Sequence, residues 1–262
     1  MAKHALCIGI NDYPGTQSDL SGCVNDALDW GAALAARGFS VTKLLEAQAS
    51  KAAMVASIGG VIRTALADDT VVITYSGHGT WVPDKNGDEP DGRDEGLCPW
   101  DIGQGNVLLD DELGALLTNR APGVRVILIS DSCHSGSVSR GNTADLDPGL
   151  PRARFLAPEV WLKDRLPVRI PPKIVGGLVR SGGDLLMAAC TDTQYSWDTR
   201  FNGRPNGAFT YYALKALASL GADASYADWL AKISPSYLPS SQLPQNPQIF
   251  GAATARNWRV FA

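Results

Sequence analysis

Residues 127–136 read ILISDSCHSG. A run of branched apolar side chains breaks off at Asp131, Ser132 and Cys133, the pattern of a buried strand emptying into a polar loop with a thiol at its tip. Upstream, VVITY at Val71–Tyr75 repeats the pattern and runs into Ser76, Gly77, His78 and Gly79. Parallel strands of an open α/β sheet deliver their carboxyl ends to one edge, and ligands bind in the crevice there. One such edge would hold both Cys133 and His78.

A free thiol, with a pKa near ~8.5, is only slightly ionised at neutral pH, and an adjacent imidazole is the usual means of activating it. Cys133 and His78 supply that pair. The amides of Gly79 and Cys133 are placed to form an oxyanion hole, since a glycine lets a carbonyl approach the backbone closely. Acyl transfer through a thioester is the reaction class implied. Taken singly, a strand-end cysteine is more often a small buried hydrophobe and a histidine among glycines a loop residue. Both follow strands of one type in a chain with three histidines, and neither His4 nor His134 is as well placed.

The segments YSGHG at 75–79 and DSCHSG at 131–136 resemble the His and Cys motifs of the metacaspases and their bacterial relatives, the caspase-like cysteine peptidases. The resemblance runs from the first strand to the helix near Tyr212. It implies a three-layer caspase-like α/β fold, a mostly parallel central sheet with helices on both faces, over a single domain spanning residues 1–262. Within GCVNDA, Cys23 and Asp26 match positions lining the pocket for the side chain before the scissile bond; Asp131, two residues before the nucleophile, and Ser76 are the other candidate substrate contacts. Asp94, Asp110 and Asp111 match three calcium ligands of calcium-dependent metacaspases. The fourth position carries Arg140, so calcium is expected as an optional activator and no cofactor as a requirement. Carboxylates at 110 and 111 are also favoured simply as the amino end of a helix.

Composition agrees. A chain of 262 residues with 45% hydrophobic content buries a full core, and its net charge of −4 gives no reason to expect nucleic acid or an anionic membrane as partner. No apolar run is long enough to cross a bilayer, and MAKHALCIGIND passes straight into a strand pattern without a secretory signal. The five cysteines are scattered with no CxxC, which points to free thiols in a reducing, cytoplasmic setting; a monomer is expected more than an obligate dimer.

In chain order, strands at Ala5–Ile10, Phe39–Leu45 and Val71–Tyr75 alternate with helices at about Leu20–Arg37 and Lys51–Ala67, predicting a parallel, right-handed sheet. No GxGxxG or GxxxxGK[ST] follows any strand, which weakens a nucleotide-binding reading. Asp84, Asn86 and Asp88 open like an EF-hand loop, but Glu89 stands where its glycine belongs. Residues 140–183 read as a long basic loop or insertion whose arginines and lysines, Arg152, Arg154, Lys163, Arg165, Arg169, Lys173 and Arg180, are candidate self-cleavage sites. A strand at Asp184–Thr191 and helices at Gly207–Leu220 and Tyr226–Ile233 follow, and residues 234–262 read as an extended wrap with a short strand near Gln248–Phe250.

Charge argues the specificity. Asp131 and Asp26 together make a buried acidic pocket that is costly without a cation, and a substrate arginine or lysine supplies one, arginine by bidentate pairing. The expected activity is an endopeptidase cleaving protein or peptide substrates after Arg or Lys. The alternatives are a catalytically silent scaffold of the same fold, or a serine hydrolase, for which no GxSxG elbow exists.

Overall fold

The computed structural model describes residues 1–83, 92–133, 150–162, 184–233 and 238–262. The chain begins with β1 (Lys3–Gly9), α1 (Cys23–Ala35), β2 (Ser40–Leu45), α2 (Lys51–Thr64) and β3 (Thr70–Ser76). Next come β4 (Gly79–Pro83), β5 (Arg93–Leu97), β6 (Leu108–Leu109), α3 (Asp110–Thr118) and β7 (Arg125–Asp131). Then follow β8 (Arg152–Ala153), α4 (Pro158–Trp161), β9 (Leu185–Ala188), β10 (Trp197–Phe201) and β11 (Arg204–Gly207). The last elements are α5 (Ala208–Leu217), α6 (Tyr226–Ile233), β12 (Gln248–Gly251) and α7 (Ala253–Arg256).

Six strands form the central sheet in the order β12-β9-β7-β3-β1-β2. All its pairings are parallel except that of β12 with β9. Alternate side chains of each strand feed two separate cores. Leu6, Ile8, Val71, Ile73 and Leu128 pack with Met54, Ile58 and Ile62 of α2 and Leu113 and Leu117 of α3. Ala5, Cys7, Val72, Ile127 and Ile129 pack with Trp30 and Leu34 of α1, Phe209 of α5 and Trp229 of α6. A strand buried on both faces must be apolar at successive positions, which is why these strands read as continuous hydrophobic runs. The expected three-layer, mostly parallel caspase-like α/β fold is the one observed.

Three strand tips meet at the carboxyl edge. Gly9 lies opposite Ser76, and Ser76 opposite Asp131. Two small sheets, β4-β5-β6 and β11-β10-β8, stand beyond this edge. At Gly9 any side chain would strike Ala27 and the backbone at Cys23, so the glycine lets α1 approach the tip of β1.

Two sequence expectations change. Within the described part of the basic loop the chain forms β8 and α4, and Leu156 and Trp161 are buried in the first core. In the carboxyl-terminal stretch β12 falls where the short strand near Gln248–Phe250 is expected, and α7 adds a helical turn to what reads as an extended wrap. Asp84, Asn86, Asp88, Glu89, His134 and Arg140 lie outside the described residues, as do Lys163, Arg165, Arg169, Lys173 and Arg180. Among the described residues no helix is long and apolar enough to cross a membrane.

Candidate active site

Cys133 sits just past the tip of β7, and its sulfur accepts the Ser196 N–H at 2.7 Å. His78 lies two residues past the tip of β3, wedged against Tyr13 with ring centroids 4.8 Å apart. Its backbone N–H donates to the Tyr13 hydroxyl at 2.7 Å, and its carbonyl lies 2.6 Å from the Tyr75 hydroxyl. The ring nitrogen Nε2 is 2.6 Å from the Ser18 carbonyl, which can only accept, so the neutral ring carries its proton there. Nδ1 is buried without a hydrogen-bond partner, its lone pair available. Burial pushes the imidazole pKa down to about 4, which keeps the ring neutral at physiological pH.

One peptide unit brings these groups together. The carbonyl oxygen of Arg154 accepts the N–H of Gly79 at 3.0 Å and that of Cys133 at 3.1 Å. The two amides read from the sequence as an oxyanion hole therefore converge on a single oxygen, and the His78 ring lies against the same backbone. On the amino side, the Arg154 N–H donates to the Ser196 carbonyl at 2.9 Å, and β8 adds itself antiparallel to β10. On the carboxyl side, Phe155 bridges to Gly79, and the Leu156 N–H donates to the Gly79 carbonyl at 2.9 Å. Residues 152–156 thus lie across the strand tips as an extended strap. Under it Cys133 is 0% and His78 3% exposed.

The Arg154 side chain fills the acidic pocket. Its Nη2 lies 2.7 Å from Asp26 and 3.0 Å from Asp198, and its Nη1 lies 3.2 Å from Asp131. All four groups are buried. The cation expected from a substrate is supplied here by the chain itself. Burial works against the Arg154 charge, but Asp131 and the other acids more than offset it and raise its pKa. Burial pushes Asp26 up to about 6, with Arg154 acting in the opposite direction, and at neutral pH the carboxylate stays ionised.

Three carboxylates tolerate this crowding because backbone donors hold each one. Asp131 accepts the Thr210 N–H at 2.9 Å and the Thr210 hydroxyl at 2.7 Å, and the Ser196 hydroxyl also donates to it. Asp26 accepts the Gly207 N–H at 3.0 Å and the Asn206 side-chain amide at 2.9 Å. Asp198 accepts the N–H groups of Gly22 at 2.9 Å and Ser21 at 2.8 Å. Thr210 lies in the first turn of α5 and Gly22 caps α1, so two helix amino termini face the pocket. Gly207 is required here, because a side chain there would collide with the Asp131 carboxylate and the Arg154 guanidinium.

Of the residues singled out in the sequence, His78, Gly79, Cys133, Asp26 and Asp131 surround Arg154. Ser76 is buried at the tip of β3 in register with Asp131. Cys23 opens α1 beside the acids, and burial pushes its thiol pKa well up. The proposed metal ligands are not part of this cluster. Asp94 pairs with Val82 in the β4–β5 ladder, and Asp110 and Asp111 open α3. Among the described residues no group of three His, Cys, Asp or Glu side chains stands together to hold a metal ion. Sequence reasoning missed Asp198 and Ser196 as site residues, although both fall in DTQYSWD, the segment expected to border the cleft.

The family profile "Metacaspase, peptidase C14 domain" matches residues 3–140. Metacaspase-4 of Arabidopsis thaliana is 42% identical over 151 residues, covering 53% of this chain and 34% of its own length. Metacaspase-3 of the same plant is 31% identical over 236 residues, covering 86% of this chain and 62% of its own. Metacaspase-1A of Aspergillus oryzae is 36% identical over 146 residues, covering 52% of this chain and 35% of its own. The matched region spans about a third to three fifths of these curated relatives. A crystal structure of a protein from Geobacter sulfurreducens superposes with a TM-score of 0.74 at 30% identity, covering 100% of this chain and 99% of that one.

Proposed function

Since the chain belongs to the metacaspase family, we propose that it is a cysteine endopeptidase that cleaves after Arg or Lys with a Cys133–His78 dyad, and that its first substrate is its own Arg154–Phe155 bond. The observation that carries this reading is the seat of Arg154, with its carbonyl on two convergent amides and its guanidinium on buried carboxylates. A substrate bound in the same way presents its carbonyl carbon to the Cys133 sulfur. The thiol proton passes to Nδ1 of His78 as sulfur adds to that carbon. The oxyanion is then held by the Gly79 and Cys133 N–H groups. The carbon–nitrogen bond breaks, the His78 proton goes to the departing amine, and a thioester remains for water to hydrolyse. In the strap the departing amine is that of Phe155.

No metal enters this scheme, because the thiol, the imidazole and two amides supply every group that acyl transfer needs. Activity is therefore expected to persist in the presence of a calcium chelator, and added calcium, the optional activator expected from the sequence, to change its rate without being required for it. The proposed substrates are basic protein segments, met by a monomer in a reducing, cytoplasmic setting.

The test pairs wild type with Cys133→Ala. Wild type is expected to yield a fragment ending at Arg154 in intact-mass measurements and to release fluorophore from peptides ending in Arg, with Cys133→Ala inactive in both assays. A wild type that stays whole and spares Arg and Lys peptides, even after Arg154→Ala has emptied the pocket, would establish the silent-scaffold reading instead.

A further inference from the structure

The geometry points to Asp198 as the residue that makes the pocket select arginine over lysine. This inference rests on the peptidase reading above and goes beyond it by naming the specificity determinant.

The guanidinium carries two terminal nitrogens in a rigid fork, and both ends are occupied. Nη2 lies between Asp26 at 2.7 Å and Asp198 at 3.0 Å. Nη1 lies between the Asp131 carboxylate and the Asp131 carbonyl, each at 3.2 Å. Three hydrogen bonds hold the terminal nitrogens, Nη1 also forms an ion pair with the Asp131 carboxylate, and Nε lacks a partner. A lysine ammonium is a single nitrogen, so it can hold one end of this arrangement and not both. Without Asp198, arginine loses a charge-assisted bond that lysine makes only by giving up those at Asp131.

Asp198 also has a structural task. Besides the guanidinium, it accepts the Gly22 N–H and the N–H and hydroxyl of Ser21, tying the start of α1 to β10. Selection must therefore be separated from folding. The ratio of kcat/KM for matched Arg and Lys peptides does this, because Arg154 competes with both substrates alike and its occupancy cancels.

Replacing Asp198 by Asn keeps the shape and removes the charge. The Arg-to-Lys ratio is expected to fall by about tenfold, the worth of one charge-assisted bond. Asp198→Glu, which retains the charge but displaces it by one methylene, is expected to lower the ratio as well and serves if the Asn variant does not fold. Ser21→Ala removes only the hydroxyl bond and should leave the ratio unchanged, whatever it does to each substrate. If Arg and Lys peptides lose rate equally in both Asp198 variants, Asp198 is structural only and the inference falls. If wild type cleaves neither peptide, the peptidase reading itself falls.

Discussion

At the scale of single residues, His78 couples stability to pH. In the folded chain its pKa is lowered to about 4 by burial, whereas an unfolded histidine titrates near ~6.5. Between those values the unfolded chain binds a proton that the native site refuses, so acidification through this window favours unfolding, by about 3 kcal/mol at its lower end. Asp26, raised to about 6, titrates in the same range with the opposite sign. The comparison is therefore between wild type and His78→Asn: chemical denaturation from pH 7 down to 4.5 should show a steeper loss for wild type, and parallel curves would contradict the assignment. Arg154 makes a second case. Substituting Ala strands three buried carboxylates, and breaking such a pair costs about 3–5 kcal/mol unless water enters. Added agmatine, which carries a guanidinium, should raise the melting temperature of Arg154→Ala and leave that of wild type unchanged.

At the scale of elements, the strap has unequal halves. Its amino half is the two-residue β8, on the outer side of β10. Its carboxyl half is anchored by buried Leu156 and by Trp161, whose indole N–H donates to the Thr80 hydroxyl at 2.9 Å. After a cut between Arg154 and Phe155 the two fragments should elute together in size exclusion and separate only in denaturant. Trp161→Ala should cost about 3–5 kcal/mol of stability and let the fragments part more readily. The β1-α1-β2-α2-β3 alternation, the thiol at one strand tip and the imidazole at the next were all legible in the sequence, because hydrophobic period and turn residues are local signals. The strap was not. Proline and arginine in 140–183 suggest an exposed loop, and nothing local tells Arg154 from Arg152, yet Arg154 is 0% exposed. Its burial depends on acids 128, 23 and 44 positions away in sequence. Asp198 was hidden for the same reason, since only folding brings β10 to the amino end of α1.

At the scale of the whole molecule, two cores on opposite faces of one sheet hold a cleft whose occupant belongs to the same chain. On the self-processing proposed above, the chain that cuts is the chain that is cut. Onset of peptidase activity should follow a lag whose length is independent of protein concentration; a lag that shortens on concentrating the sample would mean that one molecule processes another. The tethered guanidinium also bears on inhibitor discovery. A short flexible link holds its occupant at an effective concentration of about millimolar, so a small amidine screened against the uncut chain must outbid a resident that never diffuses away. Its measured potency is weakened by the ratio of that concentration to the resident's own dissociation constant. Libraries are better screened on Arg154→Ala, where true affinities are exposed.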